Sequence, residues 1–145
     1  MLSLLINNEF SRLRSVLLGI AHSNGPVPSI EDCYDPSSLQ HVRSGTYPVE
    51  ADMSFEMAAV LAVFKKYEVQ VFHPSIIENC NQIFVRDIAF VIEDKFIKSN
   101  ILPERDQEIN ALESLFKLIP PENIIVFPEE CHVEGGDVIV CGKYI

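Results

Sequence analysis

The sequence predicts an α/β fold of about two ββαβ-type modules behind a leading strand. Three observations predict it. The order helix, strand, hairpin occurs twice, at a spacing of roughly fifty residues. A proline closes the same strand in both copies. Two aspartates, Asp87 and Asp137, stand at matching places in the two hairpins. A chain of 145 residues suffices for one domain with its own core, so residues 1–145 read as a single unit.

The elements follow in chain order. Residues 14–20 (RSVLLGI) are the leading strand. Residues 21–49 carry Pro26, Pro28, Pro36 and Pro48 among Ser, Gly and Asp, and read as a long loop. Residues 54–67 (SFEMAAVLAVFKKY) are helix formers, apolar nearly all round, which predicts a buried helix. Residues 69–72 (VQVF) make a short strand stopped near Pro74. Residues 83–90 (IFVRDIAF) form an apolar, β-prone run, which Glu93-Asp94 turns back into residues 95–97.

The second copy starts at Pro103, with acids in its first turn that suit the helix dipole. Ile109, Leu112, Phe116 and Ile119 recur at helical spacing until Pro120-Pro121 ends the helix. Residues 124–127 (IIVF) are a strand closed by Pro128. Residues 132–140 form the next strand, Cys141-Gly142 the turn, and residues 143–145 the return strand. Phe64-Lys65 matches Phe116-Lys117, and residues 95–97 match residues 143–145. The modules are thus residues 54–97 and 103–145, each unable to bury its core face alone. Because the second stops in mid-hairpin, the chain is expected to be the N-terminal part of a longer ring or array. An uncovered sheet edge and module face would then invite association, homo-oligomers included.

Composition narrows the function. A net charge of −10 and a pI of about 4.7 argue against nucleic acid, whose phosphates need a basic face. They suit a cationic small molecule. The longest clean apolar run, residues 57–64, is too short to span a membrane, and residues 1–6 lack the flanks of a signal peptide. Cys33, Cys80, Cys131 and Cys141 show neither a CxxC pair nor zinc spacing, so reduced thiols and a cytoplasmic location are expected.

Two stretches carry candidate chemistry. In residues 81–87 (NQIFVRD), strand alternation would put Asn81, Ile83, Val85 and Asp87 on one side. Asp87 lies in an apolar stretch, where a carboxylate must be paired. It is either one half of a structural ion pair with an arginine or an acid held ready for a cationic ligand. In residues 134–137 (EGGD), a glycine pair lets the backbone come close to a ligand between Glu134 and Asp137. A turn with two solvated acids is the plainer alternative. The match of Asp137 to Asp87 favours two modules converging on one pocket. Carboxylates suit a planar guanidinium, since each can accept two parallel N–H bonds.

N-x-x-F-x-R-D followed by E-G-G-D resembles the guanidino-group-modifying enzymes: arginine deiminases, dimethylarginine dimethylaminohydrolases and amidinotransferases. The segment Phe10-Ser11-Arg12-Leu13-Arg14-Ser15-Val16-Leu17-Leu18 also resembles that family's first strand. The resemblance implies a partial pentein, an α/β propeller of about five ββαβ modules around a central site. It implies Asp87 and Glu134 as guanidinium carboxylates, with Glu134 also in proton handling. It further implies Asp137 as a substrate-orienting acid, and Asn81 and Phe84 as pocket residues. No metal or organic cofactor is implied.

The family's nucleophilic cysteine attacks the guanidinium carbon, and a histidine serves as general acid and base. Both belong to later modules. Cys131 and Cys141 do not match the nucleophile's position, and His22, His41, His73 and His132 form no triad. The chain alone is therefore expected to be inactive. The rival expectation is a non-catalytic half-length protein that binds a cationic ligand or a partner chain.

Overall fold

The computed structural model describes residues 2–145. The leading strand is β1 (Ser15–Leu17), which pairs in parallel with β2 (Gln70–Phe72). Between them lie helices α1 (Pro36–Ser44) and α2 (Glu50–Lys66). The stretch expected as a long loop thus contains α1. Its signals are local: Asp35 accepts from Ser38 N at 2.8 Å, Pro36 begins the helix, and Gly45 closes it at φ 67°.

Helix α2 forms where expected but is not buried. Met53 is its one buried residue, while Phe55 is 79 % exposed and Val63 53 %. Helix propensity set the element, but burial needs a second surface, and among the described residues only the side of α2 toward β2 meets one.

Helix α3 (Val85–Ile88) leads directly into β3 (Ala89–Ile92). Strand β3 pairs antiparallel with β4 (Lys95–Lys98) through a two-residue turn with Glu93 at φ 52°. Strand β5 (Ile124–Val126) adds in parallel to β4. The strand expected over residues 83–90 therefore starts only at Ala89. Its partner β4 extends no further, and the earlier amides close locally, as in Asp87 N to Phe84 O at 3.0 Å. The expected alternation of Asn81 with Asp87 on one face fails for the same reason.

The second helix is also reshaped. Pro103–Leu112 is wound as 3₁₀, and only α4 (Glu113–Phe116) is α-helical. The strand expected over residues 132–140 is absent, because Gly135–Asp137 form a single 3₁₀ turn. The expected return strand is reduced to one bridge between Cys141 and Tyr144 around Gly142. The two sheets hold two and three strands, and neither closes on itself among the described residues.

The three-stranded sheet carries a core on each face, as its alternation dictates. Ala89 and Phe96 face Val85, Ile88, Leu112, Leu115 and Ile119. Phe90 and Ile97 face Val138 and Val140, which seal the segment after the glycine pair onto the opposite face. Burial on both sides explains why residues 88–92 read as one continuous apolar run. No helix among the described residues is long and apolar enough to cross a membrane.

Candidate functional site

The two motif segments meet as two single turns. Helix α3 carries Arg86 and Asp87, and the 3₁₀ turn Gly135–Asp137 packs directly against it. Arg86 joins them: its Nε donates to Gly135 O at 2.7 Å and its Nη2 to Val138 O at 2.6 Å. Glu9 completes the bond set, accepting from Arg86 Nη2 at 3.1 Å.

The glycine pair exists for this contact. A Cβ on Gly135 would stand 2.1 Å from Arg86 O, and one on Gly136 would stand 2.7 Å from Asp87 Oδ1. Neither glycine needs a positive φ, so close approach is the reason for both. The turn is closed by Asp137 N donating to Glu134 O at 3.0 Å.

Asp87 is one half of an ion pair, but with Arg105 rather than with its neighbour Arg86. Arg105 Nη1 donates to Asp87 Oδ2 at 2.9 Å. The same guanidinium grips Glu108 with two bonds, Nε to Oε1 at 2.7 Å and Nη2 to Oε2 at 3.0 Å. Glu108 is only 4 % exposed, and unpairing such a charge costs about 3–5 kcal/mol. The hydrogen bonds that Arg105 donates to Glu108, then burial acting in the opposite sense, then its bond to Asp87 set the balance that holds the Arg105 pKa above its ordinary value. Burial raises the Cys80 thiol and the Tyr34 phenol, with Glu108 adding to both.

Glu134 and Asp137 line one shallow cavity of about 230 Å³ together with His132, Asn100 and Leu102. Asp87 does not line it; its carboxylate lies against Gly136, the residue before Asp137. Asn81 and Phe84 do not line the cavity. Asn81 Oδ1 accepts from Ile83 N at 3.2 Å, and the Phe84 ring is largely exposed while its carbonyl accepts from Arg105. Asn100 Nδ2 lies within reach of the carbonyls of Pro128 (2.7 Å) and Cys131 (3.0 Å), tethering the loop that enters the site.

Three of these residues escaped the sequence reading. His132 shares the cavity with Glu134, a neighbourhood made by the loop and 3₁₀ turn in place of the expected strand. Arg105 and Glu108 stand at i and i+3 of a helical stretch, a visible signal for a pair but not for its contact with Asp87. Among the described residues, no group of three or more His, Cys, Asp or Glu side chains is placed to hold a metal ion. The four cysteines are unpaired, and none lines the cavity.

The fold is amidinotransferase-like. The inosamine-phosphate amidinotransferase of Streptomyces griseus superposes with a TM-score of 0.64 at 20 % identity, over 88 % of this chain and 44 % of that one. SxtG, an amidinotransferase of Microseira wollei in the saxitoxin biosynthetic pathway, superposes with a TM-score of 0.64 at 14 % identity, over 94 % of this chain and 52 % of its own. The chain thus spans about half the length of the solved structures it matches. No family model matches the sequence, and no curated protein matches it at a significant level.

Proposed function

We propose that this chain supplies the guanidinium-holding acids of a pentein-type amidinotransferase, or of a hydrolase built the same way. The observation that carries it is the seat of Gly136 against the Asp87 carboxylate. That contact brings the two motifs to one place, beside a cavity edged by Glu134 and Asp137. The amidinotransferase-like fold supports the substrate class. Asp87 and Glu134 hold and polarise the guanidinium, Glu134 exchanges protons, and Asp137 orients the remainder of the substrate.

In the whole enzyme a cysteine thiolate from another module adds to the guanidinium carbon. The carbon–nitrogen bond to the leaving amine then breaks as that amine takes up a proton. Water or an acceptor amine next displaces the thiolate. A second reading, in which this chain alone holds a cationic ligand without turnover, is favoured by the lack of a cysteine among the residues that line the cavity.

Titration with agmatine and L-arginine, followed by calorimetry or NMR, tests the shared core of both readings. Asp87→Asn and Glu134→Gln are each expected to lower affinity at least tenfold, since each removes a charge-assisted bond to the guanidinium. Equal binding by wild type and both variants would remove these acids from the site. Incubation with a guanidino donor and an acceptor amine then separates turnover from binding.

A further inference from the structure

We infer that Arg105, anchored by Glu108, is the positioning residue that orients Asp87 for a guanidinium. The inference rests on the proposed role of Asp87 and extends it.

A carboxylate on a one-turn helix can rotate about its own bonds. Here it is fixed at one oxygen. Arg105 Nη1 takes Asp87 Oδ2 at 2.9 Å, while Oδ1 faces the bare Cα of Gly136. The Arg105 side chain is 11 % exposed and that of Asp87 22 %. The guanidinium is itself immobilised by the two-bond grip of Glu108, whose side chain is 5 % exposed. A planar guanidinium fixed along one edge presents its remaining N–H groups in set directions, which a lysine ammonium cannot do.

Two other roles fit less well. Arg105 is no removable plug for the site, because its departure would strand the buried Glu108 charge. Nor is it a self-contained structural pair, because a donor beyond the Glu108 bonds is spent on Asp87. The consequence for recognition is specific. With Oδ2 already accepting from Arg105, Oδ1 is the oxygen without a charged partner, so Asp87 meets one N–H of a guanidinium there and leaves the parallel N–H to Glu134.

The full chain tests this with Arg105→Gln/Glu108→Gln, in which two amides replace the buried charges, and with Arg105→Lys, which keeps the charge but loses the planar fork. Two readouts are taken: the ¹³C resonance of the Asp87 carboxyl with the Gly136 amide in free protein, and agmatine affinity. Thermal melts establish that each variant is folded. The expected result is that both resonances move in free protein and affinity falls at least tenfold in the double variant, with incomplete recovery in Arg105→Lys. Affinity within twofold of wild type in a folded double variant overturns the positioning role while leaving the guanidinium site intact.

Asp87→Asn separates the two ideas. If wild type and Asp87→Asn both ignore agmatine, the guanidinium site falls. The orienting contact is then judged on free protein: resonances that move in the double variant support it, and unmoved ones overturn it. Should the double variant fail to fold, Arg105→Lys alone decides by the same readouts.

Discussion

Gly135→Ala should be among the most damaging single-methyl additions in this chain. The added Cβ would stand 2.1 Å from Arg86 O, a backbone atom that no rotamer change can move aside. The turn must withdraw by more than about 1 Å to recover an ordinary contact. That withdrawal stretches the bonds from Arg86 Nε to Gly135 O (2.7 Å) and from Arg86 Nη2 to Val138 O (2.6 Å). Overpacking costs about 1–3 kcal/mol, and a hydrogen bond to a charged group contributes about 1.5–3 kcal/mol. A loss of about 3–5 kcal/mol follows, a large part of the ~5–15 kcal/mol that holds an ordinary domain together.

Gly136→Ala is the internal control. Its Cβ would meet Asp87 Oδ1 at 2.7 Å, a side-chain atom that can turn aside against the hold of Arg105, whereas a backbone carbonyl cannot. It should cost about 1 kcal/mol of stability, with its larger effect on guanidino binding. Urea unfolding at constant temperature gives both values, and a thermal melt should fall by about 2–4 °C per kcal/mol. Gly135→Ala within about 0.5 kcal/mol of wild type, or ranked milder than Gly136→Ala, would refute the close-approach account of the glycine pair.

Two further outcomes are expected. Asp35→Ala removes the α1 cap and should cost about 1 kcal/mol near neutral pH. Hydrogen bonds from Ser38 lower the Asp35 pKa, so the cap's charge-dependent stabilisation is present above the ordinary aspartate value and lost as pH falls through the lowered one. Denaturant midpoints of wild type and variant should therefore converge in acid, and a constant gap would contradict the assignment. Iodoacetamide at pH 8 should label Cys131 and Cys141 first and Cys80 last, because Cys80 is buried and its thiol is pushed up by that burial and by Glu108. Mass spectrometry of timed samples reads the order, and early labelling of Cys80 would contradict it.

Apolar periodicity and local punctuation in the sequence determined where the chain turns and which stretches form elements. The strand cores at residues 15–17, 70–72, 95–97 and 124–126, the turn at Glu93-Asp94 and the helix read over residues 54–67 and found over residues 50–66 follow from such short-range rules. The need of Asp87 for a partner was legible too, because a carboxylate inside an apolar run is costly unless paired. Tertiary structure decided the rest. Residues 83–88 have strand propensity but no partner strand, so they close into a turn; Gly135 and Gly136 serve a contact some fifty positions away in sequence, with the turn of Arg86 and Asp87. Asp87 pairs with Arg105 rather than with Arg86, because Arg86 is occupied by the carbonyls of Gly135 and Val138. Helix α2 marks the same division from the other side. Composition could specify a helix apolar all round, but burial is a property of two surfaces, and only a packed neighbour can supply the second.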